Sequence, residues 1–95
     1  MRRIYVVTYD ISSPKRWRHV YKTMKGFGQH IQLSVFCCDL TASELLRMKA
    51  SLEAEIDRNE DQVLVVDLGL SSTRAHRIEA IGRPHHEEKR GARIL

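Results

Sequence analysis

Ninety-five residues suffice for one domain and not for two, and a chain this short buries only about 60–65% of its unfolded surface, so self-association is expected to help it. With 42% apolar and 29% charged residues it is not a disordered chain, and with no apolar run near ~18 residues it carries no membrane span and no signal peptide. The net charge of +4 is unevenly spread: residues 1–30 hold seven Lys or Arg against Asp10 alone, residues 31–70 three against eight acids, and residues 71–95 six against three, which leaves a basic region for a polyanion and an acidic middle.

The first element is a buried strand over Arg3–Tyr9, since Ile4, Tyr5, Val6, Val7 and Thr8 are nearly all strand formers. Ser12-Ser13-Pro14 then reads as an N-cap followed by proline at the first helical position. Trp17, Val20, Tyr21, Met24 and Phe27 recur at three- and four-residue spacing, with Lys15, Arg18, Lys22 and Lys25 on the opposite face, and Gly26 and Gly28 close the helix. "QHIQLSVFCCDL" is about twice the usual strand length of 5–6 residues, so it hides a hairpin or sharp bend, placed near Leu33–Cys37. Thr41-Ala42-Ser43-Glu44 is a capping box opening a second helix with an inner stripe of Leu45, Met48, Leu52 and Ile56.

"RNEDQ" reads as a loop, Val63–Leu68 as a strand, residues 71–76 as a loop and Arg77–Gly82 as a short final strand. These elements predict an α+β, ferredoxin-like β-α-β-β-α-β domain over residues 1–84, with an additional C-terminal strand and two helices on one face of an antiparallel sheet. Residues 85–95 form a charged tail that needs a partner to become ordered. Such a fold hosts many functions and assigns none by itself.

Asp10, at the exit of the first strand, has two readings. It caps the turn by accepting from the amides near Ser12 and Ser13, or it binds Mg²⁺, a hard cation that prefers carboxylate oxygen and keeps most of its waters. One carboxylate is a poor site alone, so the second reading requires a two-fold dimer that brings Asp10 from each copy to one ion. The run "PKRWRHVYK" is a solvated helix face or a phosphate-binding one; Trp17 and Tyr21 within it have core spacing, not base-stacking spacing. "KGFGQHIQ" opens like an RNA-recognition-motif signature but lacks the later aromatics and follows the first helix, so that module is rejected. His19, His30, His76, His85 and His86 form no catalytic spacing. Cys37 and Cys38 are neighbours that point to opposite faces of a strand, with no zinc-type spacing; they fit a reduced, cytoplasmic protein.

A strand ending "YDI", an Arg- and Lys-rich helix, a Gly ahead of "HIQLSVF", then "CCDLT", an "EL" helix, "DQVLVVDLG" and "RIEAIGRP" together resemble the CRISPR-associated protein 2 family over residues 3–84. The resemblance implies a ferredoxin-like homodimer in which the last strand of one subunit extends the partner's sheet. It implies a protein that bridges two dimers of the CRISPR-associated protein 1 integrase during spacer acquisition and supports the protospacer duplex. It also implies Mg²⁺- or Mn²⁺-dependent endonuclease activity on RNA or DNA, with single-stranded RNA and duplex DNA both in view, or a non-catalytic nucleic-acid-binding adaptor instead. On that resemblance the acidic metal and catalytic position falls on Asp10, beside Tyr9. The Ser-Val-Phe motif falls on Ser34 and Phe36 as neighbours of the active site. The basic positions fall nearest Arg16 and Arg18, with Lys15 and Lys22 on the same helix as further nucleic-acid contacts.

Overall fold

The computed structural model describes residues 1–73 and 78–85. In chain order it contains β1 (Arg3–Asp10), α1 (Pro14–Lys25), β2 (Gln29–Gln32), β3 (Val35–Leu40), α2 (Ala42–Glu55) and β4 (Gln62–Leu70), followed by a 3₁₀ turn at Ser71–Thr73. The strands form one antiparallel sheet in the order β2-β3-β1-β4, so the ferredoxin-like β-α-β-β-α-β arrangement is the one the chain adopts.

The alternation of β1 makes the sheet two-sided. Tyr5, Val7 and Tyr9 join Phe36, Cys38 and Leu40 of β3 in a core completed by Val20 and Met24 of α1 and Met48 and Leu52 of α2. Both helices therefore cover the same face. On the other face the register aligns Cys37, Val6 and Val66 in one row and Val35, Thr8 and Leu64 in the next, with Asp10 opposite Gln62 at the end. No helix covers these rows among the described residues, and Leu64 and Val66 are 51% and 46% exposed. The two cysteines divide as expected, Cys38 into the core and Cys37 onto the open face, and both remain thiols.

Local chemistry fixes the element ends. Ser13 caps α1, its hydroxyl accepting from Arg16 N at 3.3 Å, with Pro14 in the first turn and Lys22 and Lys25 in the last, where cations suit the helix dipole. Thr41 and Glu44 close a reciprocal capping box on α2, with bonds of 2.9 and 3.2 Å. Gly28 lets the chain leave α1 against β3: a Cβ there would collide with Cys38 Sγ and lie 2.7 Å from the Cys37 carbonyl oxygen. In β4, a bulge between Tyr5 and Ile4 of the partner strand is met by Gly69 at φ 107°, whose N–H donates to Asp67 Oδ1 at 2.9 Å. Arg3 Nε holds the same carboxylate at 3.0 Å, which accounts for a charge inside an otherwise apolar strand.

Two expectations are refined. The hairpin turn occupies Leu33–Ser34, at the early edge of the expected range. The additional C-terminal strand is not present among the described residues: residues 78–82 are irregular, Ile81 is fully exposed, and Gly82 has φ 97°. A strand exists only against an edge, and this segment instead flanks a groove whose other wall is His30–Leu33. Arg77, His76, the loop beyond residue 73, His86 and the tail beyond His85 lie outside the described residues. Among the described residues no helix is long and apolar enough to cross a membrane.

Candidate active site

Asp10 is the last residue of β1, exposed, on the open face of the sheet. Among the described residues its carboxylate makes no hydrogen bond and no ion pair. The turn that it was free to cap is held by a different acid. Asp61, immediately before β4, accepts from Ser12 N at 3.0 Å, from Asp57 N at 2.8 Å, and from Arg16 through Nε at 2.7 Å and Nη2 at 3.2 Å. The Ser12 hydroxyl stands between Glu60 Oε1 at 3.1 Å and Asp61 Oδ1 at 3.3 Å. The Asp61 side chain is 0% exposed. The Arg16 guanidinium, with the Asp57 and Ser12 amides, outweighs the desolvation and holds the Asp61 carboxyl well below the usual carboxylate range. Nothing in the sequence marked Asp61; it stood inside "RNEDQ", and beyond the nearby Asp57 amide its partners Arg16 and Ser12 are 45 and 49 positions away.

The other candidates separate by side of the sheet. Tyr9 alternates with Asp10 and is buried on the helix-covered face, 5% exposed, against Trp17 and Phe36 at centroid distances of 6.2 and 6.3 Å. Burial, with Tyr21 nearby, pushes the Tyr9 phenol up, so it is no proton acceptor at neutral pH. Phe36 is fully buried. Ser34 sits in the hairpin turn with its hydroxyl accepting from Trp17 Nε1 at 2.9 Å and its carbonyl accepting from Tyr9 N at 3.1 Å. Trp17 and Tyr21 stack on each other at 5.2 Å and 9°, as core spacing predicts, and His30 packs edge-on to Tyr21 at 5.1 Å.

Lys15, Arg18 and Lys22 form an exposed stripe along the outside of α1, with His19 beside them. No acid pairs with the three among the described residues. Arg16 departs from this group: its guanidinium is committed to Asp61 and is 28% exposed. The stripe belongs to the outer surface of the helix layer and Asp10 to the bare face of the sheet, so a single chain does not gather them around one substrate.

The donor chemistry at Asp10 fits a hard divalent cation: a carboxylate oxygen open to solvent, with no internal competitor among the described residues. It does not complete a site alone, since among the described residues no group of three His, Cys, Asp or Glu side chains stands close enough to hold a metal ion. A cation that retains most of its waters needs only one or two carboxylates.

Comparison with known proteins supplies the context. The family model for CRISPR associated protein Cas2 matches residues 1–75. The chain is 47% identical over 91 residues to a protein of Rhodospirillum rubrum named CRISPR-associated endoribonuclease Cas2 1, covering 96% of this chain and 89% of that one. It is 40% identical over 83 residues to the CRISPR-associated endoribonuclease Cas2 of Geobacter sulfurreducens, covering 87% of each. The crystal structure of Streptococcus pyogenes Cas2 superposes with a TM-score of 0.71 at 37% identity, over 83% of this chain and 99% of that one.

Proposed function

The chain belongs to the CRISPR associated protein Cas2 family, and from that premise we propose that it is a metal-dependent endonuclease of CRISPR adaptation, a homodimer whose phosphodiester-cleaving centre is built on Asp10. The observation that carries this reading is the Asp10 carboxylate itself, exposed and, among the described residues, without an internal partner, at the rim of an apolar sheet face that no described helix covers. Pairing two such faces about a two-fold axis buries the exposed Leu64 and Val66 and supplies a second Asp10. A Mg²⁺ or Mn²⁺ ion bound there would supply positive charge to stabilise the negative charge developing on a phosphodiester. Asp10 is the residue that would hold that ion. Lys15, Arg18 and Lys22 bind the backbone phosphates of RNA or DNA without reading sequence. In the cell the dimer bridges the CRISPR-associated protein 1 integrase dimers during spacer acquisition, as the family resemblance implies.

One observation favours a second reading, the non-catalytic adaptor: the basic stripe and Asp10 lie on opposite sides of the sheet, an arrangement suited to binding a duplex away from any cutting centre. Asp10→Asn separates the two. RNA and DNA cleavage, measured with Mg²⁺, with Mn²⁺ and with chelator, should fall by about a hundredfold or more in the variant. Its melting temperature should stay within about 3 °C of the parent, because the exposed side chain makes no hydrogen bond or ion pair among the described residues. Cleavage at full rate overturns the assignment of Asp10. Spacer acquisition that survives the loss of cleavage gives the physiological role to the adaptor.

A further inference from the structure

Among the described residues the Asp10 side chain makes no hydrogen bond and no ion pair, so the position of its carboxylate is set through the backbone of β1. Three segments border that backbone: the loop leading into β4, the β2–β3 turn and the start of α1. All three are tied to one turn of helix. Arg16 and Trp17 are consecutive, and neighbouring side chains on a helix diverge by about 100°. Arg16 reaches to Asp61, the residue before Gln62, which pairs with Asp10. Trp17 reaches to Ser34, the residue before Val35, which pairs with Thr8. Tyr9 N, one residue before Asp10, donates to the same Ser34 through its carbonyl.

We infer that Arg16 and Trp17 form a two-armed bracket and that, with their acceptors Asp61 and Ser34, they are positioning residues for the metal ion at Asp10, an inference that rests on the metal-site reading above. The bracket reassigns two residues that the sequence offered as contacts. Arg16 is occupied by a carboxylate that would otherwise be buried without a counter-charge, an arrangement tolerated only when its donors are complete. Ser34 gives its hydroxyl to the indole N–H and its carbonyl to β1. Neither arm touches the open face. Each fixes a loop beside β1, so that Asp10 leaves the sheet in one direction.

The test titrates Mn²⁺ against the full chain, reading free Mn²⁺ by electron paramagnetic resonance at physiological salt, where distant charges are largely screened. The wild type should bind the ion and Asp10→Asn should not. Asp61→Asn and Ser34→Ala, each measured below its own melting temperature, should weaken Mn²⁺ binding about tenfold, by loosening the backbone on either side of Asp10 rather than by removing a bond to the ligand itself. Arg16→Lys, which keeps the charge and loses the guanidinium fork, should weaken it too. Affinity within about twofold of wild type, together with lowered melting temperatures, makes the bracket structural only and overturns the inference while leaving the site intact. A wild type that binds no Mn²⁺, or binds it equally after Asp10→Asn, overturns the metal site and the bracket with it. Should Asp61→Asn fail to fold, Ser34→Ala decides the question, since it removes one neutral oxygen on the opposite arm.

Discussion

The Asp61 side chain is closed off by its own donors, and they support its charge in place of solvent: the Arg16 fork and the amides of Asp57 and Ser12. Those donors hold its folded-state pKa below that of an unfolded aspartate, which titrates near 4, so between the two values the folded chain binds fewer protons than the unfolded one. The resulting stabilisation is fully present above about pH 4 and is lost as pH falls from there towards the folded value. Asp61→Asn should therefore melt at lower temperature than wild type at pH 7, and the gap should narrow on acidification below about pH 4. Thermal unfolding followed at a series of pH values measures this, and parallel curves refute it. The variant keeps some acid sensitivity, because the Gly69 amide and Arg3 depress Asp67 in the same direction. Sequence alone favoured Asp10 for the turn because it was the acid next door. Asp61 was invisible because what distinguishes it is burial beside residues from the other end of the domain, and no local pattern encodes that.

On α1 the same division of labour runs along one helix. Lys15, Arg18 and Lys22 are exposed and Arg16 is clamped, although all four sit in one basic run. If the exposed three meet phosphates, replacing them with alanine should weaken duplex binding and reduce the slope of log affinity against log salt by about 0.9 for each phosphate no longer neutralised. Arg16→Ala should instead lower the melting temperature and leave the slope nearly unchanged. A slope reduced as much by Arg16→Ala as by a stripe residue would return Arg16 to the interface. The helices were legible because their signals are local: an apolar period of 3.6, proline in the first turn of α1, and a capping box on α2. The hairpin was legible only as an overlong strand. Leu33 and Ser34 are not the Asn-Gly or Gly-rich pair that usually announces a two-residue turn, and the turn is held by Tyr9 N and the Trp17 indole, partners from β1 and α1. Knowing that a strand must break somewhere does not say where when the fastening is tertiary.

The whole molecule leaves two surfaces that a free monomer has no reason to keep: an apolar sheet face with Leu64 and Val66 half exposed, and a nine-residue outer strand, β4, with no strand beyond it among the described residues. The segment read from sequence as a fifth strand is the natural complement of such an edge, and inside one chain residues 78–82 are not in strand form. Its β pattern was legible while its partner was not: on the proposed dimer it would pair with the other chain's edge, and a strand that pairs between chains has no intramolecular signature. On the proposed dimer, Leu64→Lys with Val66→Lys sets like charges against their two-fold mates in a face stripped of water. Both side chains point away from the core, so the domain should still fold, as circular dichroism would record, while sedimentation shifts from dimer to monomer. Cleavage should fall with it even though Asp10 is untouched, because each chain then offers its metal a single carboxylate. A double variant that stays dimeric, or a monomer that cuts at the wild-type rate, breaks the link between the bare sheet face and the chemistry at its rim. Charge repulsion also makes the dissociation salt-dependent: raising ionic strength screens the introduced lysines and should restore part of the dimer, whereas a variant that had lost its fold would not recover.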